Sequence, residues 1–380
     1  MRKTSSTLIG IVLVLLSIGI VMLASTSNVR GAATFHDPYH FLKRQLVWLI
    51  ISAGAGFVVT RFDYHWWQKL AAPLVLASTV LLGLVFAPGI GGEISGSYRW
   101  LRAGPLSFQP SELAKFAVII ALSAWMVRVG PASSSLLEGA LLPSLGLGVI
   151  LLLLILEPDF GTTLLVGAVG MTIMFAGGAR VPHLAIIGTV GLCVFALAVA
   201  QNENRVIRIM AFLFPNDPKY AAAAYHLAQS KTAFIRGEWL GVGLGESIQK
   251  QFYLPEAHTD FILAIIGEEL GFFMTLFVVL LFLGVLVCGV LISARAPDTF
   301  GQLIGFGFTV MLVLQASINI GVVTGCMPTK GLPLPFISYG GSSLVMSIAS
   351  VCVLLNISEH VGKKRPDGHT RLIKDKAHAL

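Results

Sequence analysis

Ten predominantly apolar stretches follow one another along the chain, most of them separated by short polar breaks, near 7–25, 44–60, 70–87, 112–128, 140–156, 161–177, 184–200, 260–292, 300–323 and 341–357. A bilayer core needs roughly 20 apolar residues per helical crossing, so each stretch is read as one transmembrane helix. The eighth is long enough to tilt or to project beyond the bilayer. Only 12% of residues are charged, about half the share a water-facing surface requires. The fold class expected is an all-α, polytopic integral membrane protein with about ten transmembrane helices. No linker divides it, so residues 1–360 are read as one transmembrane domain and 361–380 as a basic cytoplasmic tail.

The net charge of +7 does not indicate nucleic acid, because much of the excess sits in that tail beside the last apolar run. A basic juxtamembrane segment suits the anionic cytoplasmic leaflet. The four cysteines are scattered, with no pairing or metal-ligand spacing. The N-terminus mimics a signal peptide, but its apolar run is longer than usual and more membrane sequence follows. It is read as an uncleaved first span.

Lys/Arg counts on the two sides tie, because the 201–259 segment is long and long loops cross regardless of charge. Among short segments, the clusters at Arg2–Lys3 and 363–376 place both ends in the cytoplasm. Loops 88–111, 201–259 (between spans 7 and 8) and 324–340 then lie outside. All three are rich in glycine or proline, and non-helical backbone at membrane depth must be buried in protein or reached by water. An outward-facing polar cavity is the inference.

Several ionisable groups can line it. Glu112 and Lys115, one turn apart, either orient a helix end as an ion pair or face the bundle interior. Asp260 opens the eighth span after His258 and Thr259, with Thr259 as the expected N-cap. The helix end favours the Asp260 anion and apolar surroundings disfavour it, so it is either a capping carboxylate or a general base. Glu268 falls on the same side as Asp260, deeper in, while Glu269 points away and needs another partner. Asp159, at the tip of a hairpin through Glu157–Pro158–Asp159–Phe160, is a turn-former or a second cavity carboxylate. With Lys231 and Lys330, these groups fit either an enzyme acting on a membrane-borne substrate or a transporter.

The order of segments resembles the SEDS family (shape, elongation, division and sporulation proteins) over roughly residues 8–360. The resemblance is carried by YRWLRAGPLSFQPSELAK (98–115), EPDFGTT (157–163), QSKTAFIRGEWLGVGLGESIQKQFYLPEAHTDFILAIIGEELG (229–271) and GLPLPFISYGGSS (331–343). Within the family these blocks look like the division member, with the elongation member as runner-up. The resemblance implies a peptidoglycan glycosyltransferase of the bacterial cytoplasmic membrane that polymerises lipid II on its outer face by an inverting displacement. Asp260 matches the family's catalytic aspartate. Arg99, Arg102, Lys115, Lys231 and Lys330 are candidates to stabilise the departing pyrophosphate, with a divalent cation (Mg or Mn) as a further option. Glu112, Asp159, His258 and Glu268 complete the expected cavity set. The implied partners are lipid II, a class B penicillin-binding protein transpeptidase and other divisome proteins.

The chain departs from the family pattern at Ala221–Ala224, Tyr225 and His226, and again at Ile235–Arg236–Gly237–Glu238–Trp239. Both departures lie in the large outer loop, away from Asp260. A lipid II flippase is the alternative function, and a secondary transporter or an idle scaffold are weaker ones.

Overall fold

The computed structural model describes residues 1–87, 91–94, 97–103 and 106–361. The basic tail beyond Val361 and the side chain of Arg102 lie outside the described residues. Three helices come first: α1 (Arg2–Phe35), α2 (His40–Arg61) and α3 (His65–Leu84). A three-stranded antiparallel sheet follows, β1 (Gly91–Ile94), β2 (Ser97–Ala103) and β3 (Leu106–Phe108), with Leu101 opposite Phe108. Then come α4 (Pro110–Val129), α5 (Leu142–Leu156), α6 (Phe160–Ala176), α7 (Val181–Ala200), α8 (Glu203–Leu213), α9 (Ala221–Gly237), α10 (Ile262–Ala294), α11 (Thr299–Val323) and α12 (Gly341–His360).

Among the described residues, nine of these helices are long and apolar enough to cross a membrane, and the shorter apolar α6 makes a tenth. Each matches one of the ten stretches in the sequence. This is a multi-pass membrane protein. The large 201–259 loop is not all irregular, since α8 and α9 lie within it.

Sorting among the helices follows their polarity. α4, α11 and α12 carry Glu112, Lys115, Gln315, Asn319, Ser350 and Asn356 on buried faces and sit inside the bundle. α7 has almost no polar side chain to hide and exposes Val181, Ile186, Val190, Leu192, Val194 and Leu197. Without a hydrophobic gradient between lipid and protein, buried polar groups and close small-residue contacts decide which faces meet.

α10 is not one continuous rod. At Gly271 the backbone takes φ +74°, and a Cβ there would lie 2.4 Å from the Gly241 nitrogen. The amides of Phe272 and Phe273 would have bonded the carbonyls of Glu268 and Glu269 in an unbroken helix. Instead they bond the carbonyls of Glu238 (2.9 Å) and Trp239 (3.4 Å). The two freed carbonyls accept from Val242 and Gly243, each at 3.0 Å. The turn after α9 thus satisfies every group that the break releases, as backbone at membrane depth requires. The break explains the length of the eighth apolar stretch: residues 262–269 are all buried in protein, and lipid-facing side chains begin at Phe272. Gly271→Ala is expected to cost about 1–3 kcal/mol for the left-handed backbone alone, read as a lower melting temperature in detergent. A substitution without effect would remove the break from the stable fold.

Candidate active site

One end of the bundle gathers the sheet, the α5–α6 turn, α8, α9, the segment 238–261 and the loop 324–340. Asp260 stands in a turn there and not in a helix. α10 begins two residues later, at Ile262. The expected N-cap by Thr259 is not formed: its hydroxyl donates to the Glu256 carbonyl (3.2 Å) and carboxylate (3.0 Å). Asp260 is therefore not in helical phase with Glu268, and the expected alignment of the two on one helix face is not formed.

The turn is fixed from afar. Asn319 of α11 donates to the Asp260 carbonyl (2.8 Å) and the Leu332 carbonyl (2.7 Å). Ser338 donates to the Thr259 carbonyl at 2.6 Å, and the Tyr339 amide to the His258 carbonyl at 3.0 Å. The proline-containing segment 331–339 is thereby tied along 258–260. Gly331 passes so close that a Cβ on it would sit 3.1 Å from Asp260 Oδ2. One turn along α11 from Asn319, Gln315 donates to the Pro333 carbonyl (2.9 Å) and accepts from Lys115 (2.8 Å). Lys115 pairs with Glu112 at 2.8 Å, with both side chains almost fully buried. A continuous ladder thus runs from this ion pair through Gln315 to the segment that flanks Asp260. Glu112 and Lys115 stand behind the site and brace it.

Asp159 caps α6: its carboxylate accepts from the Thr162 amide (3.2 Å) and hydroxyl (2.9 Å). The carbonyls just before it are held by two arginines. Arg99 of β2 bonds those of Glu157 and Pro158, and Arg205 of α8 bonds that of Pro158 at 2.9 Å. Arg208, one turn along α8, is exposed, and among the described residues its guanidinium makes no hydrogen bond.

The Asp260 carboxylate also has no hydrogen-bond donor among the described residues, although the residue is largely covered. Burial, and then the neighbouring Glu256, push its pKa up to about 7. Arg99 and Arg208 pull it down and Asp159 pushes it further up. An uncommitted carboxylate titrating near neutrality, beside cations with spare donors, can take a proton from a weak nucleophile while an anion departs nearby.

The other expected site residues are placed differently. His258 is buried between Phe41 and Tyr339, ring centroids 4.7 and 5.9 Å away, and burial lowers its pKa to about 4, so it is neutral. Glu268 is fully buried and saturated by Arg236 (2.8 Å), Ser247 and the amides of Ile248 and Gln249. Glu269 finds its partner in Lys250 (2.8 Å), with Ser25 donating as well. These two acids pin the 245–250 segment onto the head of α10. Lys231 is exposed and lies over Gly325, while Lys330 sits beside Gly331 with its pKa lowered by burial.

A family model for cell cycle proteins, covering FtsW, RodA and SpoVE, matches residues 6–363. The chain belongs to this family. A probable peptidoglycan glycosyltransferase FtsW from Legionella pneumophila is 42% identical over 353 residues, spanning 92% of this chain and 89% of the relative. Another of that name from Trichlorobacter lovleyi is 43% identical over 353 residues, spanning 92% of each. Among solved structures, a chain of a peptidoglycan synthase complex that coordinates polymerization and crosslinking aligns with a TM-score of 0.76 at 27% identity. That alignment covers 94% of this chain and 98% of the other. The rod shape determining protein RodA of Thermus thermophilus aligns with a TM-score of 0.70 at 27% identity, covering 94% and 97%.

Among the described residues no three His, Cys, Asp or Glu side chains converge at metal-binding distance, and both Asp159 oxygens are already taken. Among the described residues, positive charge near Asp260 comes from Arg99 and Arg208, with Lys330 beside Gly331. In the sequence Arg205 and Arg208 stand out only as part of an amphipathic stretch of the large outer loop, and Gln315 and Asn319 do not stand out at all. Spacing of four on α11 and of three on α8 places each pair on one helix face, and that was the available signal.

Proposed function

We propose that this chain is a peptidoglycan glycosyltransferase of the division type, polymerising lipid II with Asp260 as general base. The observation that carries the reading is the uncommitted Asp260 carboxylate, poised near neutral pH beside Arg99 and Arg208. Asp260 takes the proton of the GlcNAc 4-hydroxyl of the acceptor. The freed oxygen attacks the anomeric carbon of the MurNAc on the growing strand, the bond to pyrophosphate breaks, and undecaprenyl pyrophosphate leaves with inversion. Negative charge develops on that leaving group within reach of the arginines. Both termini lie in the cytoplasm and the site faces the exterior, where the charge clusters of the short segments put it. A class B penicillin-binding protein is the partner, with other divisome proteins around it. The aligned peptidoglycan synthase complex supports the first of these.

The test is gel analysis of glycan products from the purified chain given lipid II, with and without its cognate transpeptidase. Polymer that depends on Asp260 is expected. Equal polymer from the wild type and the Asp260→Asn variant would sink the reading, and lipid translocation without polymer would favour a flippase. Arg208→Ala is expected to raise the KM for lipid II roughly tenfold, the worth of one charge-assisted hydrogen bond, in initial-rate measurements. An unchanged KM would take Arg208 out of pyrophosphate recognition.

A further inference from the structure

Three further residues meet at the outer end of α1. Arg30 Nη1 lies 3.3 Å from Glu256 Oε1, and the other Glu256 oxygen accepts from the Thr259 hydroxyl at 3.0 Å. α1 reaches this far because its 34 residues make a rod of about 51 Å, well beyond the bilayer core. Glu256 itself takes φ +55°, a left-handed conformation that a β-carbon makes unfavourable. Its carbonyl accepts the amides of Thr259 and Phe261, at 3.2 and 3.3 Å, and these bonds form the turn that carries Asp260.

The turn alone does not call for a carboxylate at this position. Its backbone bonds use the Glu256 carbonyl, and glycine or asparagine would adopt the backbone more readily. Placing a second carboxylate beside Asp260 carries a repulsive cost, which Arg30 and Thr259 offset in part. Such an arrangement has a use where the neighbour must take up a proton near neutral pH.

We infer that Glu256, gripped by Arg30 and Thr259, is a positioning residue that sets the working pH of Asp260. The inference rests on the general-base reading of Asp260 given above. Other charged or titratable groups bear on the same carboxylate from the elements packed around it: Arg99 from β2, Asp159 from the head of α6, Arg208 from α8, and Lys330 beside Gly331. His258 in the turn is neutral, and His226 of α9, stacked on Phe261, is held towards its neutral form by burial and Arg208. Among these neighbours Glu256 is the strongest charge acting to keep Asp260 protonated, and Arg30 acts on Asp260 through it.

The signs are opposite for the two partners. A base must be unprotonated, so the rate falls as pH drops through the pKa of Asp260. Neutralising Glu256 removes a nearby negative charge and makes Asp260 a weaker base. Neutralising Arg30 leaves Glu256 uncompensated and makes Asp260 a stronger one. In the full chain with its cognate transpeptidase, the acid limb of lipid II polymerisation is expected to move down by about 0.5–1 pH unit in Glu256→Gln and up by a smaller amount in Arg30→Gln. Glu256→Asp keeps the charge and is expected to restore the wild-type limb.

Rates lowered equally at every pH, in variants that remain monodisperse with unchanged melting temperature, would reduce Glu256 to a structural brace and overturn the inference. So would limbs that move in the same direction for Glu256→Gln and Arg30→Gln. If instead Asp260→Asn polymerises like the wild type, the general-base reading fails and this one falls with it. The two failures are therefore told apart by the Asp260→Asn control.

Discussion

Asp260→Asn is expected to polymerise lipid II about 10²–10⁴-fold more slowly than the wild type, the contribution of a positioned base, while melting at a higher temperature. Both halves follow from one feature. The Asp260 carboxylate is largely buried without a hydrogen-bond donor among the described residues, so its ionised form is held at a cost, and its pKa rises from 3.8 to about 7. For a carboxyl raised on folding, the associated stability is fully present below the unfolded pKa and is lost as pH climbs through the folded one. At pH 8 the native protein therefore carries a penalty that a neutral amide removes. The gain is on the order of 2 kcal/mol, less than full linkage gives because one edge of the group meets solvent. Differential scanning fluorimetry in detergent at pH 5 and pH 8 checks it, with the full stabilisation expected at pH 8 and roughly a third of it at pH 5. An asparagine variant that is both slow and less stable at pH 8 would make Asp260 a structural residue.

Lys115→Met is expected to be the most destabilising of the substitutions considered, by about 3–5 kcal/mol. Lys115 and Glu112 are almost completely buried and 2.8 Å apart, so removing the ammonium leaves a carboxylate in the bundle with no opposite charge. It also takes the donor from Gln315 Oε1, and Gln315 is what holds the Pro333 carbonyl. Adding Glu112→Gln to Lys115→Met is expected to recover a large part of the loss, because two apolar or neutral groups in place of a buried pair cost little. Thermal melts of the two single variants and the double variant form a cycle that isolates the pair. Additive losses would mean that the two side chains do not depend on one another.

How much of this was legible beforehand depended on whether the cause was local. Span number was legible because hydrocarbon asks one question of each segment, whether some twenty residues are apolar. The helices of the structure answer the same ten stretches. The motif around Asp260 singles it out as the candidate base. Its setting was not legible, because the turn at 256–261 is imposed by Asn319 and Ser338, residues some sixty to eighty positions away. With those contacts unknown, Thr259 reads as a helix cap and Glu268 as a neighbour of Asp260. Glu268 and Glu269 likewise read as spare charges until Arg236 and Lys250 fold back onto them. The sheet at 91–108 was hidden among glycines, where no alternation marks strands. Gln315 and Asn319 were submerged in an apolar helix whose hydropathy they hardly lower.

The break in α10 bears on how the site meets a membrane of varying thickness. An unbroken helix of 33 residues would be a stiff lever, and any tilt that the lipid forced on its lower part would swing the upper end. Here the turn at 238–243 is hydrogen-bonded to α10 on both sides of Gly271, to the carbonyls of Glu268 and Glu269 above the break and to the amides of Phe272 and Phe273 below it. Strain that the bilayer puts on residues 272–294 is therefore shared with that turn, while Asn319 of α11 holds the Asp260 carbonyl independently of α10. The end of the molecule that carries Asp260 does not hang on one helix alone.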